Sequence, residues 1–248
     1  MKKKSTEKYV WLNNADLYVN PRIQRKIDPE RVRKIASQFS PLVANPIKVS
    51  YRDGRYYIFD GMHTRAAIRL LNGSDNFPIL CRVYNGLTEE DEAKLFSMQF
   101  GVSEDLSMIY RLRALEVAKD PDVLQFLQAT RDAGFKITLG CCKCANGHIA
   151  ACCEAFKSYH ALGSEDYTTM LTMLHRTWAG ESWSVTRNMI SGMTRFVQMY
   201  EVELDDFVRA LRETTYQEVK DVADRFRGMS REGAFASALA EIYGREKW

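Results

Sequence analysis

The apolar positions of the chain follow two spacings, and the balance between them changes near residue 103. Before that point, short aromatic and β-branched runs alternate with segments whose apolar residues recur every three or four positions, so strands and helices are expected in turn. Val10-Trp11-Leu12 opens a strand that meets a polar turn at Asn13-Asn14. Asn20 to Lys26 reads as extended, because a proline disfavours helix for the residue before it. Asp28-Pro29-Glu30 then supplies a capping oxygen and a proline at the first helical position, after which Val32, Ile35 and Phe39 share one face. Pro46 to Tyr51 and Tyr56 to Phe59 form strands around the turn Arg52-Asp53-Gly54-Arg55. The second of these breaks at Asp60-Gly61 and passes straight into a helix stopped by Asn72-Gly73. Phe77 to Tyr84 is another strand, and Thr88-Glu89-Glu90-Asp91 caps a helix reaching about Phe100.

From Ser103 onward the texture is helical. Leu106, Ile109, Leu112 and Leu115 form one stripe, and Asp120-Pro121 starts a helix with Val123, Phe126 and Leu127 facing inward, ended by Gly134. Phe135 to Leu139 predicts a short strand, followed by a cysteine-rich turn and a helix running to Leu162-Gly163. Ser164, Ser184 and Glu203 begin three more helical patterns, and Gly228 to Trp248 closes the chain as a final helix. The expected class is α+β: a small mixed sheet with helices over residues 1–102, then an all-α domain over residues 103–248.

Composition narrows the setting. Hydrophobic content of 46% and charged content of 27% are those of an ordinary soluble protein. No apolar run approaches the roughly 20 residues that span a bilayer, and the basic start Met1-Lys2-Lys3-Lys4 lacks the apolar stretch of a signal peptide. The cytoplasm is the expected compartment, and six cysteines with adjacent pairs such as Cys141-Cys142 suit its reducing conditions. The net charge of +3 is small, but residues 1–100 hold 17 Lys and Arg against 11 Asp and Glu, while the remainder hold 18 against 21. If a polyanion binds electrostatically, the N-terminal part is the face expected to take it, solvated surface charge being the alternative reading of the same excess.

The strand-to-helix turn carries the candidate chemistry. The first turn of a helix has unpaired backbone N–H groups and a partial positive charge, and here His63, Thr64 and Arg65 stand at the same place. A phosphate would be well received there, and Gly61 allows the close approach. Asp60 beside it reads either as a general base or metal ligand or, the preferred reading, as a cap for the turn. Two further patterns compete. Cys141-Cys142-x-Cys144 with His148 and Cys152-Cys153 offers nitrogen and sulfur ligands for zinc, but the double Cys-x₂-Cys spacing is missing, and small core side chains are the preferred reading. Ala179 to Asn188 is faintly like a helix-turn-helix, with Arg187 and Asn188 available to bases and Trp178 and Trp183 better suited to packing.

Four motifs in order connect the first hundred residues to a known group. Asn20-Pro21 followed by Gln24-Arg25, the strand Pro46-Ile47-Lys48-Val49, the run Asp60-Gly61-Met62-His63 and the segment Glu104-Asp105-Leu106-Ser107 resemble the motifs of the ParB N-terminal/sulfiredoxin-like superfamily. The resemblance implies a nucleotide fold with phosphates on the turn at Gly61, CTP or ATP with magnesium as the ligand, and DNA as a partner. By position it implies phosphate contacts from Gly61, His63 and Thr64, with Arg25 as a second basic contact; Arg65 is added from helix geometry. Arg22 and Lys26, in the same segment as Arg25, are the expected DNA contacts. The departures are specific. Sulfiredoxin's reactive cysteine falls at Met62, and a thioether cannot act as a thiolate nucleophile. The double arginine of ParB is His63-Thr64, and its metal-holding pair falls near Gln99-Phe100, neither an anionic ligand. The resulting expectation is a nucleotide-binding, DNA-associated accessory protein of a plasmid, phage or integrated element, able to self-associate as a homodimer. The alternatives are a phosphotransferase or nuclease using Asp60 and His63, or a non-catalytic interaction module.

Overall fold

The computed structural model describes residues 6–98, 108–140 and 145–245. They fall into two compact units, Met1–Asp120 and Pro121–Trp248. The domain boundary expected between residues 102 and 103 lies outside the described residues, as do the segments Gln99-Phe100, Glu104 to Ser107 and Cys141 to Cys144.

Unit one is built on a five-stranded sheet: β1 (Thr6–Asn13), β2 (Leu17–Val19), β3 (Ile47–Arg52), β4 (Arg55–Asp60) and β5 (Pro78–Asn85), in spatial order β1-β5-β3-β4-β2. β1 and β5 are antiparallel, as are β3 and β4, whereas β3 with β5 and β2 with β4 are parallel, so the sheet is mixed. Among the described residues four α-helices accompany it: α1 (Pro29–Ser37), α2 (Met62–Asn72), α3 (Glu89–Ser97) and α4 (Met108–Val117). The local signals explain their ends. Asp28 caps α1 by accepting from the N–H groups of Glu30 and Arg31, and Thr88 with Asp91 closes a reciprocal capping box on α3.

One face of the sheet is an apolar core that includes Ile47, Val49, Ile58, Ile79, Cys81 and Val83, which Met62 of α2 joins. The period of two sends the intervening residues, among them Lys48, Ser50, Arg52, Arg82 and Tyr84, to the other face. There Arg52 Nε donates to Glu92 Oε1 of α3 at 2.7 Å, with the guanidinium 3.8 Å above the Tyr57 ring. The segment from Asn20, expected to run extended, folds back on itself: the N–H groups of Ile23 and Gln24 both donate to Asn20 O. This turn buries Ile23 against Ala93, Phe96 and Ala114, tying α3 and α4 to one small core.

Unit two is mainly helical: α5 (Pro121–Asp132), α6 (Cys152–Trp178), α7 (Arg187–Met199), α8 (Leu204–Leu211), α9 (Tyr216–Ala223) and α10 (Arg231–Arg245). A two-residue parallel pair, β6 (Lys136–Ile137) with β7 (His148–Ile149), realises the short strand expected after Gly134. α6 is interrupted at Gly163 (φ 81°, ψ 172°), the point where the sequence predicted one helix to stop and another to start. Phe126, Tyr167, Phe196, Phe207 and Phe235 are fully buried here. The helix expected from Ser184 begins later, at Arg187, because Ser182–Val185 forms a 3₁₀ turn that buries Ser184. α9 was not foreseen as a separate element, its Thr215 cap lying only a few residues past α8. Among the described residues no helix is long and apolar enough to cross a membrane.

Candidate functional site

The chain turns from β4 into α2 at Gly61, whose φ of 92° and ψ of 14° lie in the left-handed region. A Cβ at this position would stand 2.7 Å from Ile47 Cδ1, so glycine is required by conformation and by space together. The glycine caps α2 without a side-chain oxygen, and the next backbone bond of the helix runs from Arg65 N to Gly61 O at 2.9 Å. The first N–H groups of α2 thus face the end of the sheet with no side-chain cap.

A cavity of about 470 Å³ opens at this turn. Asp60, Gly61 and Thr64 line it, together with Lys48 of β3 and Arg82 and Tyr84 of β5. Lys48 Nζ lies 2.7 Å from Asp60 Oδ2, each side chain being more than a third exposed. Arg82 donates through Nε and a terminal nitrogen to Glu7 Oε2 at 3.0 and 2.6 Å. That hydrogen bond raises the Arg82 pKa further above its ordinary value, and burial raises that of the Tyr84 hydroxyl. Tyr84 packs edge-on against Phe59, ring centres 5.5 Å apart.

Three consecutive residues of α2 part company at this point. Successive side chains on an α-helix point about 100° apart, and His63, Thr64 and Arg65 accordingly reach three different neighbours. Thr64 faces the cavity. His63, 7% exposed, turns to α1, where Nε2 accepts the backbone N–H of Asp28 at 3.2 Å. Arg65 turns the other way: its Nε donates to Asn14 Oδ1 at 2.6 Å and its terminal nitrogen to Asn14 O at 3.0 Å. Neither the imidazole nor the Arg65 guanidinium lines the cavity, which corrects the expectation that they flank one anion. Burial, followed by the charges of Arg25 and Arg31, pushes the His63 pKa down to about 4, with Asp28 opposing. Burial likewise lowers that of Arg65.

The remaining expected residues lie near the turn at Asn20. Arg25 is half-buried and close enough to His63 to repel its proton, while Lys26 is exposed. Arg22, with a side chain 66% exposed, pairs with Glu89 of α3 at 3.0 Å. Asn20 and Gln24, both buried, have structural duties: Asn20 donates to Glu89 Oε1 and accepts from Arg22 N, and Gln24 donates to Ile58 O.

Sequence reasoning missed Lys48, Arg82 and Tyr84. Their signal was the polar position inside each strand, at the x of Pro-Ile-x-Val for Lys48, but it became readable only once the register placed Lys48 opposite both Asp60 and Arg82. The size of the cavity suits a nucleotide. Among the described residues that line it, Asp60 is the one anionic oxygen donor, so a magnesium ion arriving with phosphates would be held by Asp60 in competition with Lys48.

The rival sites are plainer. Cys152 is buried and its thiol is pushed up to about 12, first by burial and then by Cys153, which leaves it protonated. His148 Nδ1 lies 3.5 Å from Thr138 Oγ1. Among the described residues no cluster of three or more His, Cys, Asp or Glu could hold a metal. Trp178 and Trp183 pack with ring centres 5.0 Å apart and planes tilted by 54°, and Trp178 Nε1 donates to Thr214 O, so the suggested reading segment is packed around its own indoles.

Residues 18–232 match the model of a family described as a family of unknown function, DUF6551. Two solved structures are similar to the chain. One, a Pnob8-like ParB-N domain, is 15% identical with a TM-score of 0.45, covering 97% of this chain and 99% of that one. The other, a pNOB8-like ParB N-domain, is 15% identical with a TM-score of 0.39, covering 99% of this chain and 92% of that one. No curated protein matches the chain.

Proposed function

Given that the chain belongs to the DUF6551 family, whose description assigns no activity, we propose from its site that unit one binds the phosphates of a nucleotide and that the protein is a nucleic-acid-associated accessory factor. The observation that carries this reading is the cavity at Gly61, where the uncapped start of α2 meets Thr64, Lys48 and Arg82. Backbone N–H groups and the helix dipole favour an anion, the threonine hydroxyl donates once more, and two cations stand within the same walls. Lys48 is already paired with Asp60. A phosphate entering the cavity competes with that carboxylate for the ammonium, so ligand binding and the release of Asp60 are coupled.

Nucleic acid is the second half of the proposal. Residues 22–34 contain six Lys and Arg against two Asp and Glu, and Asp28 spends its carboxylate on capping α1. The expected contacts Arg22 and Lys26 stand at the start of this run, with Arg22 exchanging Glu89 for a phosphodiester. Binding is favoured over turnover because Asp60 lines the cavity whereas His63 faces α1, so the two groups of the phosphotransferase alternative do not share it.

Thermal unfolding with CTP, ATP, GTP and UTP, with and without magnesium, tests the reading. A midpoint that rises with nucleotide concentration, and no longer rises in Lys48→Ala or Thr64→Val, is the expected result. No shift from any nucleotide or from inorganic triphosphate at millimolar concentration would remove it.

A further inference from the structure

The sheet of unit one has a second face, and among the described residues only part of it is covered. α3 lies over the β3 and β4 side through the Arg52–Glu92 pair, whereas β1, at the edge of the sheet, presents Tyr9 at 61% and Trp11 at 67% exposure. An outward sheet face in contact with water ordinarily carries polar residues at such positions. The alternation of β1 is otherwise kept, since Val10 and Leu12 pack on the core. The register makes this face continuous with the cavity: Tyr9 lies opposite Arg82, Arg82 opposite Lys48, and Lys48 opposite Asp60, a row running across four adjacent strands. Arg82 joins the two regions, its guanidinium 5.8 Å from the centre of the Tyr9 ring and 5.3 Å from that of Tyr84.

We infer that this face is a stacking platform for the unpaired bases of single-stranded nucleic acid, with a phosphate of the same strand in the cavity at Gly61. Tyr9 and Trp11 are two residues apart on one strand, so their rings stand about 7 Å apart and each offers a surface to one base. Two platforms in series require at least two bases, which a mononucleotide lacks. A duplex hides its base faces in its own stack and has nothing to offer an exposed indole. Charge does not dominate the face, because Arg82 is matched by Glu7 and Lys48 by Asp60. Stacking therefore supplies most of the affinity. The assignment rests on the phosphate-binding reading for one end of the strand only.

Fluorescence anisotropy with labelled oligothymidylate and oligouridylate of one to eight nucleotides, and with a duplex of equal length, tests it on the full chain. Affinity should rise at least tenfold between one and three nucleotides and then flatten, with the duplex binding at least tenfold more weakly. Tyr9→Ala and Trp11→Ala, both at exposed positions that leave the core intact, should each weaken the trinucleotide at least fivefold while leaving mononucleotide binding unchanged. Binding of either strand type supports the assignment, and their comparison shows which sugar is preferred. Binding of neither, equal affinity for the duplex, or unchanged affinity in both variants overturns it. So does a change of oligomeric state in Trp11→Ala, by sedimentation, with no effect on oligonucleotides, which would make the face a contact between copies. Lys48→Ala separates the two readings. Loss of mononucleotide binding there, with no length dependence in the parent protein, overturns the platform alone, whereas length dependence without any mononucleotide binding overturns the cavity reading alone.

Discussion

The Nε2 atom of His63 accepts the backbone N–H of Asp28 at 3.2 Å, joining the starts of two helices, since Asp28 caps α1 and His63 stands in the first turn of α2. An acceptor at Nε2 leaves the ring proton on Nδ1 and requires the neutral imidazole. A histidine that its sequence position suggested for phosphate contact is thus a structural joint.

Its pKa of about 4, below the ordinary 6.5, sets a pH dependence. Between those values the unfolded chain binds a proton at His63 that the folded protein does not. The stability from the neutral ring is present above pH 6.5, falls as pH drops from 6.5 to 4, and changes no further below that. The loss is about 3 kcal/mol at most, less to the extent that water reaches the ring. Urea midpoints from pH 4 to 7.5 should slope less steeply in His63→Gln, which keeps an acceptor and loses the titration; identical slopes would deny His63 this role.

Gly61→Ala should lower stability by about 2 kcal/mol or more, because it combines a left-handed φ with a Cβ 2.7 Å from Ile47 Cδ1. Ile47→Val removes that methyl and by itself costs about 1 kcal/mol. The double variant should therefore be less destabilised than the sum of the two single ones. Strict additivity in calorimetry would show that the clash is relieved some other way.

The Arg52–Glu92 pair joins the β3–β4 hairpin to α3 with Glu92 only 2% exposed at its side chain. Burial works to lower the Arg52 pKa, yet the hydrogen bond and charge of Glu92 overcome it and the net direction is up. Removing Arg52 strands the buried Glu92 carboxylate, so Arg52→Ala should cost about 3–5 kcal/mol, and Arg52→Met with Glu92→Met considerably less. Chemical denaturation of the three proteins decides between a coupled pair and two independent groups.

Gln24 donates to Ile58 O from a buried position, with 6% of the residue exposed. Gln24→Ala should cost about 1–3 kcal/mol through the unsatisfied carbonyl. Nucleotide affinity per folded molecule should not change. A loss of affinity at full stability would move this residue from scaffold to ligand contact.

The sheet and the helix ends were legible because each rests on local chemistry. Asp28-Pro29, Thr88 with Asp91, Asp53-Gly54 and Asn72-Gly73 act over a few residues, and each marks an observed boundary. The turn at Asn20 was misread because its geometry comes from afar, through Glu89 and Ile58 O. In the candidate site, Asp60, Gly61 and Thr64 were found from the turn itself. Grouping His63 and Arg65 with them overlooked the helical rotation between neighbours, and Lys48 and Arg82 were invisible without strand register.

α3 carries two carboxylates that clasp distant parts of unit one: Glu89 holds Asn20 and Arg22, and Glu92, one helical turn further on, holds Arg52. Unwinding this short helix would let go of the opening bend and the hairpin in a single event, so amide hydrogens in both should exchange with solvent at one common rate.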